Sequence, residues 1–389
     1  MIRKLVSTSA MMALVGCTAT STAPPVYTSA EDALSVYYNS IPASELPQGP
    51  EILPISYGEA LTKVIVASCN DEEQPDPALA SIAEEGADLF LFIGDNVYGD
   101  RDGPAYANAD FELEELRESY TDLGLMPEYQ AIAAAMPILP TWDDHDFGMN
   151  DFGRNFAGRI LSERIFENFF HLEETEVAAR PGVYYSRMIG PEGQRTQIIM
   201  LDTRFFRSDL TPTDEYGVTG KERYIPSGAA DQDMLGDAQW AWLEEELKKP
   251  ADLRLFVSSI QVTPDAHGWE SWDKLPAERE RLYNLIRETE ANGVVLLSGD
   301  RHTAFLYKDE DRGPYPFYEI TASSLNVAFA RDPVSSEYDP RQIGDGYTPG
   351  NYGVVDIDWD TRTIELTIKS ELGEDVSAVG FSFDEIDAG

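Results

Sequence analysis

Cys69, Asp95 with Tyr98, the run Asp143 to Asp146, Asp300 and His302 are the residues of this 389-residue chain whose types and spacing could do chemistry, and each stands at the end of a short apolar run. A thiol, a phenol, carboxylates and imidazoles brought to one place form the outline of a metal site. In Gly94-Asp95-Asn96-Val97-Tyr98 a glycine lets the loop turn back, so that a carboxylate and a phenol three residues later can face one ion. One aspartate can give an oxygen to each of two neighbouring cations, which makes Asp95 a candidate bridge. Trp142-Asp143-Asp144-His145-Asp146 sets three carboxylates within four residues, between aromatic neighbours that argue against simple solvation. Their mutual repulsion calls for neutralising cations. His145 stands where a carboxylate could orient it toward a phosphate or a leaving group. In Ser298-Gly299-Asp300-Arg301-His302 an extended backbone would place Asp300 and His302 on one side and Arg301 on the other.

The elements that must position these groups are strands. KVIVAS (63 to 68), LFLFI (89 to 93), MPILPT (136 to 141) and GVVLLS (293 to 298) are short, apolar and bounded by turn-forming residues, as interior strands of an α/β sheet are. Ligands of such sheets sit beyond the carboxyl ends of the strands, where the residues above fall. Helical periodicity is expected over 77 to 85, 111 to 120, 127 to 135, 158 to 170, 237 to 249 and 277 to 290, with further strands at 197 to 202 and 253 to 260. The stretch 203 to 235 has no clear period and reads as an ordered excursion near the site. After Pro316 the pattern turns to strands alone, at 317 to 323, 353 to 359 and 363 to 369, with one more near 376 to 383. The expected fold class is α/β, a sandwich of two mixed sheets flanked by helices, forming one catalytic domain over 51 to 389.

The amino terminus has a different composition. Arg3 and Lys4 precede a short apolar segment ending at Gly16 and Cys17, the layout of an export signal too short to span a bilayer. Leu14-Val15-Gly16-Cys17 resembles the lipobox of bacterial lipoproteins, which implies lipidation of Cys17, a signal peptide over 1 to 16 and a tether over 17 to 50, in which a short helical stretch is expected near 29 to 38. Thr18 rather than Asp after that cysteine implies the outer membrane or the periplasm as destination. Cys69 would then be the one free thiol of an exported protein. The net charge of −41, from 70 acidic and 29 basic residues, repels nucleic acid and anionic lipid surfaces, so membrane contact is expected through the anchor alone.

GDNVYGD, TWDDHDFGMND, LDTRFFR, the segment from Gln261 through Pro264, Asp265, His267 and Trp272, and SGDRH occur in the order seen in the alkaline phosphatase D family of metallophosphoesterases, which the chain resembles from about residue 60 to about 330. The resemblance implies a calcineurin-like αββα sandwich and a ferric ion paired with calcium or another divalent ion. Carried over, Cys69, Asp95, Tyr98 and His302 would hold the iron, with Asp95 bridging to a second cation held by Asp144 and Asp300. Asn70, His267 and, more weakly, Gln261 are further candidates for a metal or phosphate contact. Thiolate and phenolate suit a trivalent iron, and a carboxylate-rich pocket suits a hard, oxygen-loving ion. The implied chemistry is attack on phosphorus by a hydroxide that the cations generate, with Arg204 or Arg207 on the phosphoryl oxygens and His145 protonating the leaving alkoxide.

The resemblance has gaps. Family members often carry a β-sandwich domain ahead of the catalytic one, where this sequence has only the segment 18 to 50, and Thr303 to Leu306 after His302 offers no extra ligand. The expected function is an exported phosphatase or phosphodiesterase, a monomer acting on small organic phosphate esters. The alternatives are a phospholipase D-like diesterase acting on lipid headgroups and a non-catalytic calcium-binding surface lipoprotein.

Overall fold

A computed structural model describes residues 30–101, 111–329 and 337–388. Cys17 and the signal segment lie outside them. Strands β1 (Lys63–Ala67), β2 (Leu89–Ile93) and β3 (Ile138–Thr141) are parallel neighbours in one sheet. That sheet is extended past β1 by the antiparallel strands β10 (Asn351–Asp358), β11 (Thr363–Ser370) and β12 (Asp375–Ser382). The second sheet runs β4 (Tyr185–Ile189), β5 (Thr196–Met200), β6 (Leu253–Val257), β7 (Val294–Ser298), β9 (Phe317–Thr321), β8 (Phe305–Asp309). Its four central strands are parallel and its two edge strands antiparallel. Both sheets are therefore mixed, as the sequence pattern predicts, and each has six strands, β4 and β8 being additions to the strands expected.

The sheets face each other across one hydrophobic core. At Gly353 in β10 an added Cβ would lie 2.8 Å from Ile320 Cδ1 of β9, so the two layers meet at that point only because the residue is glycine. Helices cover the outer faces: α2 (Pro77–Glu84), α3 (Glu114–Leu125) and α4 (Pro127–Ala135) on the first sheet's connections, and α7 (Gly236–Leu247) and α8 (Pro276–Glu288) on the second's. Between them the chain forms the single turn α5 (Asp144–Phe147) and the helix α6 (Arg159–Phe169). From Thr203 to Leu235 there is no helix or strand, and isolated bridges such as Pro212 with Tyr224 hold the excursion in place.

The expected tether over 17 to 50 needs correction in its second half. Helix α1 (Ala30–Ser40) packs on α6, and Tyr38, Ile41 and Leu46 are buried. Arg164 donates to the carbonyls of Tyr38 and Ile41, and Asn168 to that of Pro47. Residues 30 to 50 thus belong to the folded body, because donors more than a hundred positions away satisfy their backbone.

Candidate metal centre

The carboxyl ends of β1, β2 and β3 in one sheet and of β7 and β9 in the other open onto the same place, and the chain turns abruptly there. Cys69 (φ 62°), Asp95 (φ 48°), Asp300 (φ 67°) and His302 (φ 51°) all have left-handed backbone. Such conformations cost about 1–3 kcal/mol each for a residue with a side chain, and they persist where surrounding structure over-determines them. The extended reading of residues 298 to 302 is therefore corrected: with both residues left-handed, Asp300 and His302 are swung into different parts of the centre rather than along one edge. Gly94 (φ 113°) makes the turn before Asp95, and a Cβ on it would lie 2.6 Å from Asp143 Cβ. The loops are tied together by main-chain bonds from Cys69 N to Gly94 O and from Asn70 N to Asp95 O.

The potential ligand atoms fall into overlapping groups within which every atom lies within 4.8 Å of the others: Cys69, Asp95 and His302; Asp95, Asp144 and His145; Asp143, Asp144 and Asp300. Asp95 belongs to the first two, and its two oxygens face different ways. Oδ2 lies 3.4 Å from Cys69 Sγ and 3.5 Å from the Tyr98 hydroxyl, while Oδ1 accepts the His145 backbone N–H at 3.3 Å. The Tyr98 hydroxyl is also 2.9 Å from His302 Nε2. A soft and phenolic corner and a carboxylate corner thus share one aspartate.

The electrostatics of these corners call for cations. Burial, then the neighbouring Cys69 and Asp144, push the Asp95 carboxyl well above its usual range, and burial with Asp143 and Glu270 does the same to Asp300. Burial lifts the Cys69 thiol to about 12. Asp144 Oδ1, Asp143 Oδ2 and Asn70 Oδ1 are buried with no hydrogen-bond partner among the described residues. Free lone pairs converging in a buried, acid-rich pocket fit a metal site. Thiol, phenol and imidazole on one side of Asp95, with carboxylates on the other, fit two cations of different hardness.

The three carboxylates of the Asp143 to Asp146 run have separate tasks. Asp144 joins three ligand groups, with Asp95 and His145, with Asp143 and Asp300, and with Asp151 and Glu270. Asp143 accepts from Arg204 Nε at 2.5 Å and from Ser259 Oγ at 2.7 Å. Asp146 is internal, taking the N–H groups of Asn96 and Asp143 and the Tyr120 hydroxyl. His145 packs its ring on Tyr98 with centroids 4.1 Å apart, and its Nδ1 bonds Asp100 Oδ1. Burial opposes its protonation, but Asp144 and Asp100 prevail and raise its pKa to about 9.

Arg204 and Arg207 are fully buried and bracket Glu270, with Arg204 Nη1 2.5 Å and Arg207 Nη2 2.7 Å from its oxygens. Arg204 keeps Nη2 as a buried donor without a partner, whereas Arg207 also gives its Nη2 to the carbonyls of Asp151 and Phe152. His267 and Gln261 are not drawn into the centre. His267 Nε2 bonds Gln261 Oε1 at 2.9 Å, its Nδ1 accepts the Trp269 N–H, and it joins none of the ligand groups among the described residues. Burial, then Arg301 and Lys274, keep it neutral, so it acts as a core histidine.

Sequence reasoning missed Glu270, Asp151, Asp100 and Ser323. Asp151 and Glu270 form a further carboxylate group with Asp144, and Arg223 and Tyr224 of the excursion bond Asp151. Asp100 carried a signal, as the last residue of GDNVYGD. Asp151 likewise closes TWDDHDFGMND, whereas Glu270 and Ser323 have no local mark in the sequence.

Comparison with known proteins bears on the family and the fold. A sequence profile described as PhoD-like phosphatase matches residues 64–351. The chain is 26% identical over 326 residues to the alkaline phosphatase D of Bacillus subtilis (strain 168), covering 74% of this chain. It spans about half the length of that relative, 51%. Among solved structures, one titled as the structure of PhoD superimposes with a TM-score of 0.61 at 17% identity, covering 87% of this chain and 72% of the other. Purple acid phosphatase PPD1 from yellow lupin seeds superimposes with a TM-score of 0.54 at 12% identity, covering 85% of this chain and 55% of the other. At these identities the two structures establish the metallophosphoesterase sandwich as the fold.

Proposed function

The chain belongs to the PhoD-like phosphatase family, and on that premise we propose that it is an exported, metal-dependent phosphoric-ester hydrolase acting on small organic phosphate esters. The observation that carries the reading is the placement of Asp95, one oxygen toward Cys69 and Tyr98 and the other toward the Asp144 corner. In this proposal Cys69, Tyr98, His302 and Asp95 would hold ferric iron, while Asp95, Asp144 and Asp300, with Asn70 nearby, would hold calcium or another hard divalent ion. Such a pair, when bound, activates water and neutralises charge on the phosphoryl oxygens.

The protein's own groups do the rest. Asp100 fixes His145 through Nδ1 and leaves Nε2 to give a proton to the departing alkoxide. Arg204, whose buried Nη2 has no hydrogen-bond partner among the described residues, is the donor assigned here to a phosphoryl oxygen. Attachment to a membrane would be through lipid on Cys17. No helix among the described residues is long and apolar enough to cross one.

The test is hydrolysis of p-nitrophenyl phosphate by the purified chain before and after chelator treatment. Turnover is expected to fall at least about 100-fold on chelation and to return with added metal, since metal ions supply several kcal/mol of transition-state stabilisation. Undiminished turnover in the chelated protein, or none under any metal supplementation, would refute the reading.

A further inference from the structure

Cys69 Sγ has a hydroxyl on either side, Ser68 Oγ at 3.3 Å and Ser323 Oγ at 3.1 Å, and the surrounding bonds make the two unequal. A serine hydroxyl has one proton to give. Ser68 gives its proton to the Ala322 carbonyl at 3.0 Å, so toward the sulfur it turns only lone pairs. Ser323 Oγ accepts the backbone N–H of His302 at 2.7 Å, which leaves its own proton free to point at the sulfur. A thiol that coordinates a metal is deprotonated and can then only accept hydrogen bonds. Ser323 is therefore the one of the two hydroxyls able to serve the thiolate. It also fixes the backbone of His302, a second candidate ligand of the same corner.

We propose that Ser323 is a positioning residue that couples Cys69 to His302 and tunes the sulfur's donor strength through the relay from His302 N–H to Ser323 O–H to Cys69 Sγ. The inference rests on Cys69 being a metal ligand. Hydrogen bonds to coordinating sulfurs are one of the main means by which proteins set the electronic properties of a metal site. A donated proton lowers the energy of the sulfur lone pairs, so its loss should make the sulfur a stronger donor and move sulfur-to-metal charge transfer to longer wavelength.

The experiment uses the whole chain loaded with cobalt(II) and reads the near-ultraviolet thiolate-to-cobalt band. The wild type should show the band, Ser323→Ala should shift it to longer wavelength, and Ser68→Ala should leave it in place. Ser323→Thr, which restores a hydroxyl, should return it toward the wild-type position. Cobalt affinity should fall about 10–100-fold in Ser323→Ala, the usual effect of losing a partner of a metal ligand. An unmoved band in Ser323→Ala, or an equal shift in Ser68→Ala, overturns the proposal while leaving Cys69 a ligand. A wild-type protein without the band removes the reading on which the proposal rests. Should Ser323→Ala fail to fold, the wild type in D2O decides: deuteration of the donated proton should shift the cobalt–sulfur stretch in resonance Raman spectra, and an unchanged stretch rejects the relay.

Discussion

Asp95→Asn is expected to lower kcat on an aryl phosphate by about three orders of magnitude while the chain stays folded, a loss equal to about 4 kcal/mol of transition-state stabilisation. Asparagine keeps the shape of the side chain and tolerates the left-handed backbone that position 95 requires, so the substitution tests charge rather than conformation. It removes the shared negative oxygen and should reduce the bound metal as well. The metal-free variant should melt no lower than metal-free wild type, because the Asp95 carboxylate is disfavoured by burial and by Cys69 and Asp144 beside it. Activity, metal content and a melting curve on one preparation check all three outcomes, and turnover within a few-fold of wild type would eliminate Asp95 as the bridge.

Arg204→Met should be the most destabilising single change near the site. Arg204 lies 2.5 Å from both Asp143 and Glu270, and all three are sealed from solvent. Breaking a buried pair strands a charge, and here it leaves Asp143 without its cation and Glu270 with Arg207 alone, an expected loss of about 3–5 kcal/mol. The loss should depend on pH. Burial already pushes the Glu270 carboxyl up to about 7 despite Arg204 and Arg207. Without Arg204 the folded-state pKa values of Glu270 and Asp143 rise further above their unfolded values. Stability then declines as pH rises from the unfolded carboxylate range through the folded pKa, because the folded variant holds protons that the unfolded chain has released. Urea unfolding at about pH 5 and about pH 8 should show the larger deficit at the higher pH. Adding Glu270→Gln should recover part of it, and an equal deficit at both pH values would count against the network.

The strand ends were legible because each is a buried run of four or five residues followed by a polar group, and a period-two or continuous apolar signal is local. The left-handed turns were not, since Cys69 and His302 lack the glycine that usually marks such backbone. Edge strands β4 and β8 escaped notice because charged residues such as Arg187, Lys308 and Asp309 interrupt their apolar character. Helix α1 was legible as a short helical stretch but not as part of the folded body, because its docking depends on Arg164 and Asn168, which nothing within 30 to 50 announces. Arg204 with Glu270 and Ser323 with Cys69 are likewise long-range pairs, the first between two connections of the second sheet and the second between the two sheets. Conversely, His267 looked available because the sequence does not show that Gln261 occupies its ring nitrogen.

The central claim is that the strand ends hold two unlike cations joined at Asp95. Elemental analysis of the purified chain, read with its visible absorption spectrum, tests this most directly. Two metal equivalents per chain are predicted, one of them iron with a charge-transfer band from Cys69 and Tyr98. A fully active, colourless protein free of iron would contradict the assignment.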